Sequence, residues 1–171
     1  MARRAAVTAP VGAIRWFSRL GRPLDRQDRQ RALGYANALK LDSVAVAGSW
    51  EEAETLTRDA ASAGGWWEAE EDERRRLMRE TGGRLGEALL LETLTTAVEE
   101  QSARTFEDAV DAGGDEALAR VASGAALMAI HNRALALLAG CGREHLFVQK
   151  YALFATGRWP LGTRGTTFII F

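Results

Sequence analysis

Glycine pairs punctuate this chain at helix-length intervals: Gly64-Gly65, Gly82-Gly83, Gly113-Gly114, and Gly140 with Gly142 around Cys141. Glycine loses the most backbone freedom on folding, so each pair marks a break between regular segments. The segments between them are rich in Ala, Leu, Arg and Glu, and only 3 prolines occur in 171 residues. That composition favours helix. The expected fold is therefore all-α, a compact helical bundle of about five or six helices with an extended, apolar C-terminal tail.

One domain is expected from 171 residues, with 47% hydrophobic and 26% charged residues marking an ordinary globular chain. The reading divides it into a basic N-terminal arm or short amphipathic helix (1–21), a bundle (22–157), and a Gly/Arg/Thr-containing loop with an apolar tail (158–171). Cys141 is the single cysteine, so no intrachain disulfide forms and nothing implies an oxidising compartment. The expected location is cytoplasmic. Heavy Arg and Ala usage, with Lys40 and Lys150 the only lysines, fits a GC-rich bacterial genome.

The arm carries Arg3, Arg4, Arg15 and Arg19 without an acid, and Val11, Ile14, Phe17 and Leu20 recur at helical spacing beside Trp16. It reads as an interfacial helix, a targeting segment, or an arm packed on the domain. A helix over Leu24 to Leu41 follows, with Leu24, Ala32, Tyr35, Ala36 and Leu39 as its buried stripe. Val44 to Ala47 reads as a short extended link. Ser49 and Glu52 match a capping box at the start of the next helix. Trp66 to Glu80 places Glu70, Glu71 and Asp72 four residues before Arg74, Arg75 and Arg76, the spacing of a solvated, self-paired helix face. A long helix from Arg84 to about Ala112 carries Leu91, Leu94, Val98, Ser102, Thr105 and Ala109 along one side. Asp115 is the expected cap of the most apolar segment, Glu116 to Ala139. His131, Asn132 and Arg133 interrupt that segment, so a buried bundle helix is expected and no transmembrane one. A last helix spans Glu144 to Thr156, with Gly157 as its C-cap.

Few patterns carry chemistry. A di-iron carboxylate site needs two Glu-x-x-His motifs, but Met128 and Gly142 precede His131 and His145 by three. No metal or cofactor is expected. Cys141 and His145 stand four apart, the material of a nucleophile and its base or, more simply, of a turn. His131 and Arg133 are candidate ligand contacts in the apolar helix. Arg158 and Arg164, among glycines and threonines, offer an anion-binding loop without the order of a P-loop. Trp159, Leu161, Phe168, Ile169, Ile170 and Phe171 would aggregate if exposed, so they are expected to be buried in the bundle or at an interface.

Three functions compete. The first is a non-catalytic interaction or structural protein with a protein partner or a homo-oligomeric interface. The second is a small-ligand-binding protein or enzyme with a bundle pocket near His131 and an anion-binding C-terminal loop. The third is contact with nucleic acid or a membrane surface through the basic N-terminal region. Residues 1–40 hold nine basic and two acidic groups, and residues 51–100 hold six basic and fourteen acidic ones, an asymmetry that suits docking or internal neutralisation.

Overall fold

The computed structural model describes residues 14–63 and 65–171. Arg3, Arg4 and Val11 lie outside the described residues, as do the side chains of Leu91 and Leu94. The chain runs α1 (Arg26–Ala38), β1 (Ser43–Val46), α2 (Trp50–Ala63), α3 (Trp66–Glu80), α4 (Gly83–Asp111), α5 (Glu116–Leu138), α6 (Leu146–Ala155), β2 (Pro160–Arg164) and β3 (Thr167–Ile170). The molecule is mostly helical. It is not purely all-α, because three strands form a small sheet.

Helix starts follow from local hydrogen bonding. The Asp25 and Asp115 carboxylates each accept an amide N–H of the first turn, from Asp28 and Leu118, at 2.8 Å. Ser49 Oγ accepts the Glu52 N–H at 3.2 Å, and the Glu52 carboxylate reaches back to the Gly48 N–H at 2.8 Å. This is the expected capping box, with its return bond moved one residue outward.

The sheet corrects the expectation of an irregular tail. β3 lies between β1, which it meets in parallel, and β2, which it meets antiparallel. Gly165 and Thr166 make the two-residue turn, and Gly165 takes the positive φ of 59° that such a turn needs at its first position. Leu161 is left over in the register between the Pro160–Ile170 and Gly162–Ile169 pairs, a bulge that bends the strand. Val44 to Ala47 is extended as expected, and its partner is the tail: Val44 lies opposite Phe168 and Val46 opposite Ile170.

Both faces of β3 are covered, which explains its unbroken apolar run. Phe168 and Ile170 pack with Ala32, Tyr35, Ala36 and Leu153 of α1 and α6. Ile169 and Phe171 face the other way, into a core shared with Ala53 and Leu56 of α2, Trp159, and the small residues of α5. The expected α1 stripe is thus real, with Ala32, Tyr35 and Ala36 fully buried.

Residues 14–21 form turns rather than a helix. Ile14, Trp16 and Phe17 are buried, the two rings meeting Phe154 edge-on at 6.4 Å, and Trp16 Nε1 donates to Gln101 Oε1 at 3.1 Å. The segment comes so close to the end of α6 that a Cβ on Gly157 would fall 2.3 Å from Ser18 Oγ. Only glycine fits there, and its φ of 86° closes α6 as a C-cap glycine does.

α5 is the spine. Ala119, Ala122, Ala126 and Ala129 enter the larger core, and Ala134, Leu135 and Ala136 enter a second one with Leu77 and Phe147. By length and composition alone α5 could cross a membrane, but half of its most apolar window is already buried inside the fold (50%).

Candidate functional site: a cleft between three helices

α3, α4 and α5 each turn one helical stripe toward a common cleft of about 720 Å³. α3 contributes Trp67, Glu70, Glu71 and Arg74; α4 contributes Thr95, Val98 and Glu99; α5 contributes Gly124, Leu127, Met128, His131 and Asn132. Each set follows the i, i+3, i+4 spacing of neighbours on a helix surface. Gly124 is exposed at the edge of the cleft. A Cβ built on Gly124 would meet nothing within 4 Å. Trp67 and Met128 stand at the mouth, 62% and 55% exposed.

A buried charged network backs the α3 wall. Lys150 of α6 donates to both oxygens of Glu70, at 2.8 and 2.7 Å, and the Tyr35 hydroxyl of α1 donates to Glu70 Oε1 at 2.5 Å. The Lys150 ammonium also lies over the Trp66 ring, 4.8 Å from its centre. Burial, then the negative charge of Glu70, push the Tyr35 phenol well above its ordinary range, so Tyr35 remains a donor. Sequence spacing paired Glu70 with Arg74 on a solvated face. The structure turns Glu70 inward instead, because α3 winds it onto the side facing α1 and α6. Arg74 bonds Glu71 through both fork nitrogens at 2.8 Å. The α3 run is thus partly a cleft wall, contrary to its reading as a purely solvated face.

His131 and Arg133, the two helix candidates, separate. His131 lines the cleft. Arg133 points elsewhere, its guanidinium 4.5 Å above the Tyr151 ring. Asn132, which interrupts the apolar helix beside His131, lines the cleft with it. It is 6% exposed, and its carboxamide oxygen is buried without a hydrogen-bond partner among the described residues.

Arg158 and Arg164 also separate, and neither joins His131. Arg158 is fully buried. It donates to the backbone carbonyls of Arg19 (2.8 Å), Arg22 and Pro23 (2.7 Å), and pairs with the buried Asp28 at 3.2 Å. Its fork is spent tying residues 19–23 to the end of α6. Arg164 is exposed at the hairpin turn. The two therefore do not form a shared anion-binding loop. Trp159, Leu161, Phe168, Ile169, Ile170 and Phe171 are all buried within their own chain, so the tail offers no sticky surface.

His145 caps α6. Its Nδ1 accepts the Phe147 N–H at 3.2 Å, which places the ring proton on Nε2, and that nitrogen donates to Glu73 at 2.7 Å. Both ring nitrogens are engaged, so His145 has none left to serve Cys141 as a base. Burial pushes the Cys141 thiol up, away from a reactive thiolate.

No protein-family model, curated protein or solved structure matches the chain.

Proposed function

We propose that the chain is a small-molecule-binding domain whose site is the cleft between α3, α4 and α5. The observation that carries this is the cleft itself, which three helices line with apolar side chains and with the buried Asn132. Well-packed interiors leave few voids, yet three helices here frame a gap of about 720 Å³, within the usual range for ligand sites. Val98, Leu127, Met128 and Trp67 supply an apolar lining, and His131 and Asn132 supply a few polar atoms for orientation. The charged groups on the α3 wall are matched, Glu70 with Lys150 and Glu71 with Arg74. That suits holding a ligand better than moving protons.

The test is filling the gap. Gly124→Leu puts a side chain into open space on a helix, where losing glycine gains about 0.5–1 kcal/mol of helix stability. The expected result is an unchanged or higher melting temperature together with loss of binding of the neutral fluorescent probe N-phenyl-1-naphthylamine, which Gly124→Ala retains. A probe that fails to bind wild type, or that binds Gly124→Leu equally, refutes the reading.

A second reading, docking of a protein segment or a second copy of the chain, is supported by the exposure of Trp67, Met128 and Val121. A concentration-dependent sedimentation coefficient, abolished by Trp67→Ser with Met128→Ser, is its signature.

A further inference from the structure

Resting on that reading of the cleft, we infer that its ligand is an amine: an ammonium group attached to an apolar body, selected over an anion of the same size. The cleft surface carries three carboxylates, Glu70, Glu71 and Glu99, against one guanidinium, Arg74. That guanidinium is already paired with a carboxylate of the same wall. It spends two bonds on Glu71, at 2.8 Å each, and a third nitrogen contact on the Met78 sulfur at 3.1 Å. The other nearby cation, Lys150, is paired with both carboxylate oxygens of Glu70, at 2.8 and 2.7 Å. Glu99 is exposed and makes no ion pair among the described residues. A charge entering this cleft therefore meets negative groups whose counter-charges are already committed, apart from Glu99, which has none among the described residues.

The polar atoms agree with the charges. The Asn132 carboxamide oxygen is a buried acceptor without a partner among the described residues, and a buried polar group left unpaired is costly. An ammonium brings three donors and no acceptor, so it can satisfy such an oxygen once the Asn132 side chain turns toward the cleft. A carboxylate or phosphate brings only acceptors and leaves it orphaned. Trp67 at the mouth offers a ring face, which attracts cations and apolar groups but not anions. The lining of Val98, Leu127 and Met128 takes the apolar body. Ligand polarity thus follows from the walls: donors toward α5 and Glu99, hydrocarbon along Val98, Leu127 and Met128.

The experiment is displacement of N-phenyl-1-naphthylamine from wild type at pH 7 by decylamine, decanol and decanoate, each below its micelle concentration, in low and high salt. Decylamine is expected to displace the probe at about ten-fold lower concentration than decanoate, with decanol between them, and salt narrows the gap because screening weakens the charge contribution. Glu99→Gln is expected to narrow it at low salt while leaving decanol unchanged. Gly124→Leu keeps every charge but blocks the cleft, so it removes displaceable probe and the calorimetric heat of decylamine together. If the probe binds wild type and the three competitors displace it equally, or decanoate leads, the amine assignment fails and the binding site stands. A decylamine heat that survives Gly124→Leu places the preference on the general protein surface and overturns the assignment too. Absence of probe binding to wild type removes the site itself.

Discussion

Glu70 is a buried carboxylate held by one ammonium and one phenol. Removing a single partner of such a pair leaves a charge stranded in the interior, which costs about 3–5 kcal/mol. Lys150→Met is therefore expected to lower the urea midpoint sharply, while Lys150→Met combined with Glu70→Leu recovers most of the loss. Equal destabilisation in the single and double variants would show that the charge pairing is not what matters there. Sequence spacing offered Arg74, four residues on, as the partner of Glu70, because on an isolated helix the nearest opposite charge wins. Lys150 lies 80 residues away in sequence, and only packing of α3 against α6 brings it close. Arg158 is a parallel case. An arginine among glycines and threonines suggested an exposed loop, and nothing local told of three backbone carbonyls waiting at residues 19, 22 and 23. Asn132 left a faint trace, as a polar residue in an apolar helix, but its lack of a partner is a fact of the fold.

Among the elements, α3 is fixed by unusual means. Its buried contacts are Leu77 and Glu70, and Glu73 ties it to the cap of α6 through His145. Hydrogen bonds from Arg76 first, and then from His145, hold the Glu73 carboxyl down at about 2, against an ordinary 4.5. A depressed acid stabilises the fold above its unfolded pKa and ceases to do so as pH falls through the folded one. Glu73→Gln is thus expected to be less stable than wild type at pH 7 and to flatten the acid-induced loss of stability between about pH 4.5 and 2. Partial exposure limits the effect to on the order of 1 kcal/mol. A series of urea melts over that range reads it directly, and parallel curves for the two proteins would remove Glu73 from the account. Helix boundaries themselves were legible. The glycine pairs, the Ser49–Glu52 box and Asp115 placed them within a few residues, since breaks and caps are local chemistry; the cap at Asp25 is known only from the structure. Strands β2 and β3 were not, because a strand is defined by a partner, and β1 meets β3 from residues 43–46 to 167–170. The Gly165-Thr166 turn was the one local clue.

For the whole molecule, the apolar tail was readable as something that must be buried, and the structure shows it buried on two faces at once. Ile170 is fully enclosed. Ile170→Ala is expected to cost about 2–5 kcal/mol, and deletion of residues 168–171 to leave a protein without a cooperative thermal transition, since the cores on either side of β3 both lose their shared wall. Truncated protein that still melts cooperatively at the wild-type temperature would mean the helices stand alone. The cleft lay outside sequence reasoning for the same reason as the sheet: its stripes come from three helices, and sequence reasoning placed a candidate ligand contact on α5 alone, at His131 and its neighbours.

The position of β3 also bears on how quickly the chain can reach this state. β1 precedes the strand that completes it by 124 residues, at the pairing of Ser43 with Thr167. Closing so long a loop is an entropic cost met before the contact gives anything back. The helices, whose partners are near in sequence, can form on much shorter timescales. Refolding followed by far-ultraviolet dichroism should therefore run ahead of refolding followed by tryptophan fluorescence. Trp159 gains its neighbours Phe17 and Trp50 only when segments more than 100 residues apart have met, so a variant that keeps Trp159 alone among the five tryptophans times that step.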